Sequence, residues 1–196
     1  MKGIRYMSLA IKKKKWTYQE YEKLEDEKRY EIIKGELLMV PSPSWEHQEI
    51  SGELGFIIQQ YVKEKKLGKV FYAPLDVALD TENLVQPDIG FISNKNQSII
   101  KKKGIFGTPD LLIEILSPSS IYRDRYEKKD LYERFKVKEY WLVDPINKTI
   151  EVFALEEKGY QLLSFADLTK DHSKVRSKIM EGLEIDVEKI AGFLQE

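Results

Sequence analysis

Between Asp110 and Ser117 the chain reads Leu-Leu-Ile-Glu-Ile-Leu, an apolar stretch of strand length interrupted by one acid, Glu114. A run without alternation predicts a strand covered on both faces of a sheet. Thr17 and Glu20 form a capping box that opens a short helix over 18–24. Segments 30–33 and 36–40 flank Lys34-Gly35 and predict a hairpin, ended by Pro41-Ser42-Pro43-Ser44. A long helix should start at Ser44 and close at Gly68, with Ile50, Leu54, Ile57 and Tyr61 on one face. Gly52 and Gly55 would let it pack closely on a sheet.

Strands follow over 69–73, 75–79 and 86–93, with Thr81-Glu82-Asn83 as the turn between the last two. Segment 94–107 is polar and predicts a surface excursion. After the 110–116 strand, Ser117-Pro118-Ser119-Ser120 leads to an amphipathic helix over 122–135, with Tyr126 and Phe135 toward its inner side. A strand over 139–143, a hairpin at Asn147-Lys148, and strands over 149–155 and 160–165 complete a meander. Asp186 can cap a last helix reaching about Leu194. There is no internal repeat or interdomain linker. The pattern predicts an α+β (α/β-like) domain with a mixed sheet over 16–196, after a loosely ordered basic tail, 1–15.

Composition narrows the chemistry. The 196 residues are 42% hydrophobic and 33% charged, as in an ordinary globular chain. The absence of cysteine excludes disulfides and thiolate metal sites and fits a cytoplasmic setting. Two histidines, His47 and His172, cannot build a multi-histidine zinc site, so a bound metal would rest on oxygen ligands: Mg²⁺, Mn²⁺ or Ca²⁺. No apolar run approaches the ~18 residues of a membrane span, and the N-terminal lysines precede no apolar segment of a secretory signal. The net charge of −1 means that binding nucleic acid would require a local basic patch.

A carboxylate inside an apolar strand must be neutralised, paired or bound to a metal. On these residues alone, a structural ion pair explains Glu114 as well as a metal does. Asp88, in Gln86-Pro87-Asp88-Ile89, is its candidate partner; alone it reads as a turn acid after proline. Asp110 competes, but on the same strand it lies ~13 Å from Glu114 at ~3.3 Å per residue, too far to share an ion. A metal nuclease also needs a cation beside its acids. Position 116, which shares a face with 112 and 114, is leucine. The following helix offers Arg125, Lys128, Lys129 and Tyr132 on one face. Lys128 is the first choice and Lys129 the second, against a plain surface pairing of Lys128 with Asp124. His47 is either a structural hydrogen-bonding residue or an auxiliary group beside phosphate or water. Glu31 and Glu36, beside the hairpin turn, are either exposed strand acids or additional metal ligands.

Pro87-Asp88 followed by Glu114-Ile115-Leu116 resembles the PD-(D/E)xK nuclease superfamily, with the lysine moved to the next helix. More closely, the chain resembles a large bacterial group of restriction-endonuclease-like proteins within it. The matching text is Tyr30 to Glu36, His47 after Pro-Ser-Pro-Ser, Val85 to Asp88, Pro109 to Leu111, Ser117-Pro118-Ser119, Asp124 with Lys128 and Tyr132, and Glu139 to Pro145. The resemblance implies a restriction-endonuclease-like core: a central mixed sheet flanked by helices, with an N-terminal hairpin. It implies an endodeoxyribonuclease using Mg²⁺ or Mn²⁺, with Asp88 and Glu114, aided by the Ile115 carbonyl, as metal ligands and Lys128 as the cation. DNA as substrate comes from the resemblance alone, and a homodimer would suit cleavage of two strands. Two departures stand out: Leu116 fills the usual lysine slot, and Lys136 precedes Val137 where the group commonly has glycine. Two other classes stay open: a decayed nuclease fold that only binds nucleic acid or protein, and a metal-dependent hydrolase of other phosphate esters.

Overall fold

The apolar run that carries Glu114 is an inner strand of one of two six-stranded sheets. The computed structural model describes residues 14–26, 28–167, 169–170 and 173–190. In chain order its elements are α1 (Tyr18–Tyr21), β1 (Arg29–Ile33), β2 (Glu36–Val40), α2 (Trp45–Lys65), β3 (Gly68–Tyr72), β4 (Val77–Asp80), β5 (Asn83–Val85) and β6 (Ile89–Ser93). A 3-10 turn over Asn94–Ile99 leads to β7 (Ile100–Lys101), β8 (Gly104–Phe106) and β9 (Leu111–Ile115). A π-helical stretch, Arg123–Lys128, runs into α3 (Lys129–Arg134). Then come β10 (Glu139–Asp144), β11 (Thr149–Glu156), β12 (Gly159–Asp167), β13 (Lys174–Arg176) and β14 (Glu184–Asp186).

The first sheet has the order β2-β1-β5-β4-β8-β7, and the second β12-β11-β10-β9-β6-β3. The pair β9–β10 is parallel while its neighbours are antiparallel, so the architecture is the expected α+β with a central mixed sheet. Side chains alternate across β9. Leu111, Ile113 and Ile115 pack with Ile50, Leu54, Ile58 and Val62 of α2. Leu112 and the following Leu116 pack with Leu131, Tyr132, Tyr140 and Leu142, and with Ile33, Val77 and Val85 of the first sheet. Full burial of each such side chain contributes about 1.5–3 kcal/mol. Glu114 points to the second side, between the sheets and the π-helical stretch.

Local chemistry explains most element ends. Lys34 and Gly35 both have positive φ, 53° and 79°, as a tight two-residue hairpin turn demands. Ser44 caps α2 by accepting a hydrogen bond from the His47 amide. The end of α2 differs from the expectation: Lys66, not Gly68, takes the left-handed cap position, at φ 54°. Gly68 instead starts β3, where a Cβ would lie 2.0 Å from the Ile92 carbonyl oxygen. A Cβ on Gly55 would meet the Tyr72 ring at 2.4 Å, so close helix–sheet packing does use that glycine.

Four further expectations are revised. The strand expected over 86–93 covers only 89–93, in the second sheet, while Asn83, expected in the preceding turn, opens a separate strand, 83–85, of the first sheet. Pro87, lacking an N–H, sits at the crossing, where a ladder bond is dispensable. The excursion 94–107 contains the β7–β8 hairpin, with Ile105 buried. Tyr126 is 59% exposed; burial falls on Asp124, Lys128, Leu131 and Tyr132 instead. Asp186 does cap, accepting from the Glu188 amide, but only a 3-10 turn, Val187–Lys189, follows among the described residues. The rest of that expected helix, and most of the tail expected over 1–15, lie outside them. Lys14 and Lys15 are described and pair with Glu20 and Glu82. Among the described residues no helix is long and apolar enough to cross a membrane.

Two buried acids hold the sheet ends. Glu139 accepts from Trp141 Nε1 at 2.7 Å and from the amides of Lys178 and Ile179, tying the C-terminal segment to β10. Asp110 leads into β9 and accepts from Lys138 Nζ at 2.5 Å, the Ser93 amide at 2.8 Å and Asn96. Burial pushes its pKa up, but these donors prevail and hold it below the usual carboxylate value. A depressed folded pKa contributes stability above the unfolded value of about 3.9, and this is lost as pH falls through the folded pKa. Urea titrations of the wild type and D110N should therefore show a stability gap at pH 6 that narrows below about pH 4; a gap independent of pH would count against this account.

Candidate active site

The crossing at Gln86-Pro87-Asp88 delivers an acid to the edge of the second sheet's core. The antiparallel β6–β9 register pairs Ile89 with Ile113 and Gly90 with Leu112. Extended by one residue, it sets Asp88 opposite Glu114, at a cross-strand Cβ separation of about 4.5–5.5 Å. Asp88 Oδ2 accepts from the Ile115 amide at 2.8 Å and lies 3.2 Å from His47 Nε2. The N-cap at Ser44 thus positions His47 as well as starting α2.

Lys128 arrives from the other side. Its Nζ lies 2.9 Å from Glu31, 3.0 Å from Glu114 and 3.3 Å from Asp124, and its side chain is only 5% exposed. Asp124 and Lys128 are the two buried residues of the π-helical stretch. Such widened turns occur often at functional sites. Arg125 turns away to Asp144 and Glu151. Tyr132 donates to Glu114 Oε1 at 2.6 Å, and Glu31 accepts the Gln86 amide, tying the crossing to the acid cluster. Arg123 adds a second, looser cation, 3.8 Å from Glu31.

Four buried or half-buried carboxylates, Glu31, Asp88, Glu114 and Asp124, thus share one cleft with Lys128 and Arg123, a local excess of negative charge. Burial pushes the Glu114 carboxyl well above its usual range; Lys128 pulls it down, while the neighbouring acids Asp124, Asp88 and Glu31 push it further up. The Asp124 carboxyl is raised for the same reasons, burial first. Burial alone would lower the Lys128 ammonium, but Glu114, Glu31 and Asp124 hold it well above its ordinary value, so it stays charged. Burial also opposes charge on His47, yet Asp88 and the Ile115 carbonyl raise its pKa. Among the described residues, His47 Nδ1 and Asp124 Oδ1 are buried without a hydrogen-bond partner, Asp124 Oδ1 lying 3.3 Å from the Lys128 ammonium.

These groups line a cleft of about 510 Å³ with Arg29, Gln86, Pro118 and Ile146. A family model described as "Putative restriction endonuclease" matches residues 18–188. The chain belongs to the Uma2 family. This membership supports a nuclease-like function. A solved structure of a putative nuclease belonging to DUF820, from Anabaena variabilis, shares the fold: TM-score 0.74 at 22% identity, covering 91% of this chain and 99% of the other. Curated proteins give no match.

In this Uma2 chain, then, Asp88, Glu114, Lys128 and His47 come together as expected, and Glu31 joins them. Glu31 is 2% exposed and not a solvent-facing strand acid, because β1 is covered by the π-helical stretch. Glu36 is exposed and outside the cleft. Lys129 is also outside, its Nζ 3.5 Å over the Phe153 ring. Asp124, read from the sequence as a surface partner of Lys128 and as part of the resemblance, was not assigned to the site; the structure buries the pair in the cleft. Among the described residues, no three acids or histidines form a ready-made metal cage. Magnesium is commonly held by one or two carboxylates with waters. The paired acids and the surplus charge fit such an ion.

Removing the ammonium should leave three buried acids without their cation. K128M is expected to lose about 3–5 kcal/mol at pH 7 by urea unfolding. Glu114 and Asp124, already raised by burial, would then lie further above their unfolded values, so the deficit should shrink as pH falls. A deficit that grows on acidification would contradict the assignment.

Proposed function

We propose that this chain is a Mg²⁺- or Mn²⁺-dependent nuclease that hydrolyses phosphodiester bonds in DNA. The observation that carries the reading is the convergence of Asp88 and Glu114 from neighbouring strands with the buried Lys128. Surplus carboxylates crowded in a cleft around one buried cation supply the oxygen ligands that a divalent ion would use. Asp88 and Glu114, with the Ile115 carbonyl, would hold the ion. When bound, such an ion lowers the pKa of a coordinated water and offsets charge on the scissile phosphate.

The protein's own groups have separable roles. Lys128, kept cationic by Glu31 and Asp124, orients the attacking water and stabilises negative charge growing on the phosphate. Tyr132 and Glu31 fix the rotamers of Glu114 and Lys128 and act as positioning residues. His47 steadies Asp88 from the side of α2.

The test pairs metal titration by calorimetry with cleavage of plasmid DNA. D88A and E114A should each lose metal-dependent cleavage by at least about 100-fold while remaining folded. Full activity in both would end this reading. Salt-sensitive DNA binding without cleavage under any divalent ion would support the binding-module alternative instead.

A further inference from the structure

The outward face of α2 carries an arrangement that the fold of one chain does not use. Ile50, Leu54, Ile58 and Val62 turn to the core. At about 100° per residue the opposite face holds Trp45, Gln48, Gly52, Phe56, Gln60 and Lys63, and all six are exposed. Trp45 is 77% exposed and Phe56 66%, so two large apolar side chains are left to water. Gly52, expected to pack on a sheet, lies on this face instead, and a Cβ there would meet nothing within 4 Å. Glycine inside an exposed helix weakens it relative to alanine, so Gly52 costs stability without serving any contact among the described residues.

The six positions are symmetric about the level of Leu54. Gly52 and Phe56 stand two residues to either side of it, Gln48 and Gln60 six, Trp45 and Lys63 nine. Turning a second α2 end for end about that level sets each residue against its counterpart. Phe56 enters the open space over the other copy's Gly52, where the small residue lets the helix axes approach to about 8 Å. Amide meets amide at Gln48 and Gln60, each able to donate and accept. The Lys63 ammonium lies over the Trp45 ring. Every contact occurs twice, as a two-fold isologous interface requires. A partner of unrelated sequence would give no reason for this symmetry.

We infer that this face joins two copies of the chain, their α2 helices packed antiparallel and centred on Leu54. The inference goes beyond the nuclease reading and does not depend on it. It also fixes how two clefts would be arranged. His47 and Gln48 line the cleft. The two clefts of the dimer therefore open toward opposite ends of the helix pair, with the two His47 residues about 20 Å apart along its axis at about 1.5 Å per residue. Gln60 of the second copy stands at the cleft-lining Gln48.

Sedimentation equilibrium of the full chain over about 1–200 µM tests the association. The wild type should dimerise, and G52E and F56E should each weaken the dimer about tenfold or more. Circular dichroism should show both variants folded, since position 52 has open space and Phe56 is exposed. The chain has no cysteine, so the register can be read by cross-linking. Under mild oxidation, chains carrying Q48C mixed with chains carrying Q60C should form disulfide-linked dimers. Either variant alone should not, because its two thiols would lie about 18 Å apart along the axis. A monomer at every concentration would overturn the inference and leave the stripe to a different partner. So would a dimer indifferent to both G52E and F56E, whose interface lies elsewhere. Failure of the Q48C and Q60C mixture to cross-link, or linkage of Q48C to itself, would also overturn it.

Discussion

Lys128 holds together groups that would otherwise repel. Its ammonium reaches Glu31 from the hairpin strand β1, Glu114 from the central strand β9 and Asp124 from its own helical turn. Three separate parts of the chain are therefore pinned at one buried point. Such a cluster is a poor source of net stability, because desolvation of the charges cancels much of their attraction. Its value lies in fixing where the acids stand.

The apolar framework makes this tolerable. β9 is packed on one side against α2 and on the other against α3 and the first sheet. Burial across these two clusters allows a cluster of acids to be carried at the strand's end. The same framework sets the geometry: the antiparallel register aligns positions 88 and 114 across neighbouring strands, and the π-helical stretch turns both Asp124 and Lys128 inward. Locally unfavourable electrostatics, supported by favourable packing elsewhere, is what a preorganised site requires.

Glu139 and Asp110 provide the contrast. Both are buried carboxylates, yet each is satisfied by several N–H donors or a lysine. Neither lines the cleft. What separates the cleft acids from the structural ones is their crowding around too few cations, not burial itself.

Much of this was legible in the chain. An acid within an apolar run marked Glu114, because hydration of a carboxylate is too strong to discard without compensation. Proline before Asp88, the capping box at Thr17 and Glu20, and the Lys34-Gly35 turn express local backbone preferences that persist in the fold. The amphipathic period likewise located α2. Tertiary structure decided the rest. That Glu31 is inside and Glu36 outside depends on which element covers β1. The choice of Lys128 over Lys129 depends on the widened turn that aims one amine at Glu114 and the other at Phe153. Local sequence sets what a segment prefers; which of its side chains meet depends on segments distant along the chain, through contacts that no local pattern encodes.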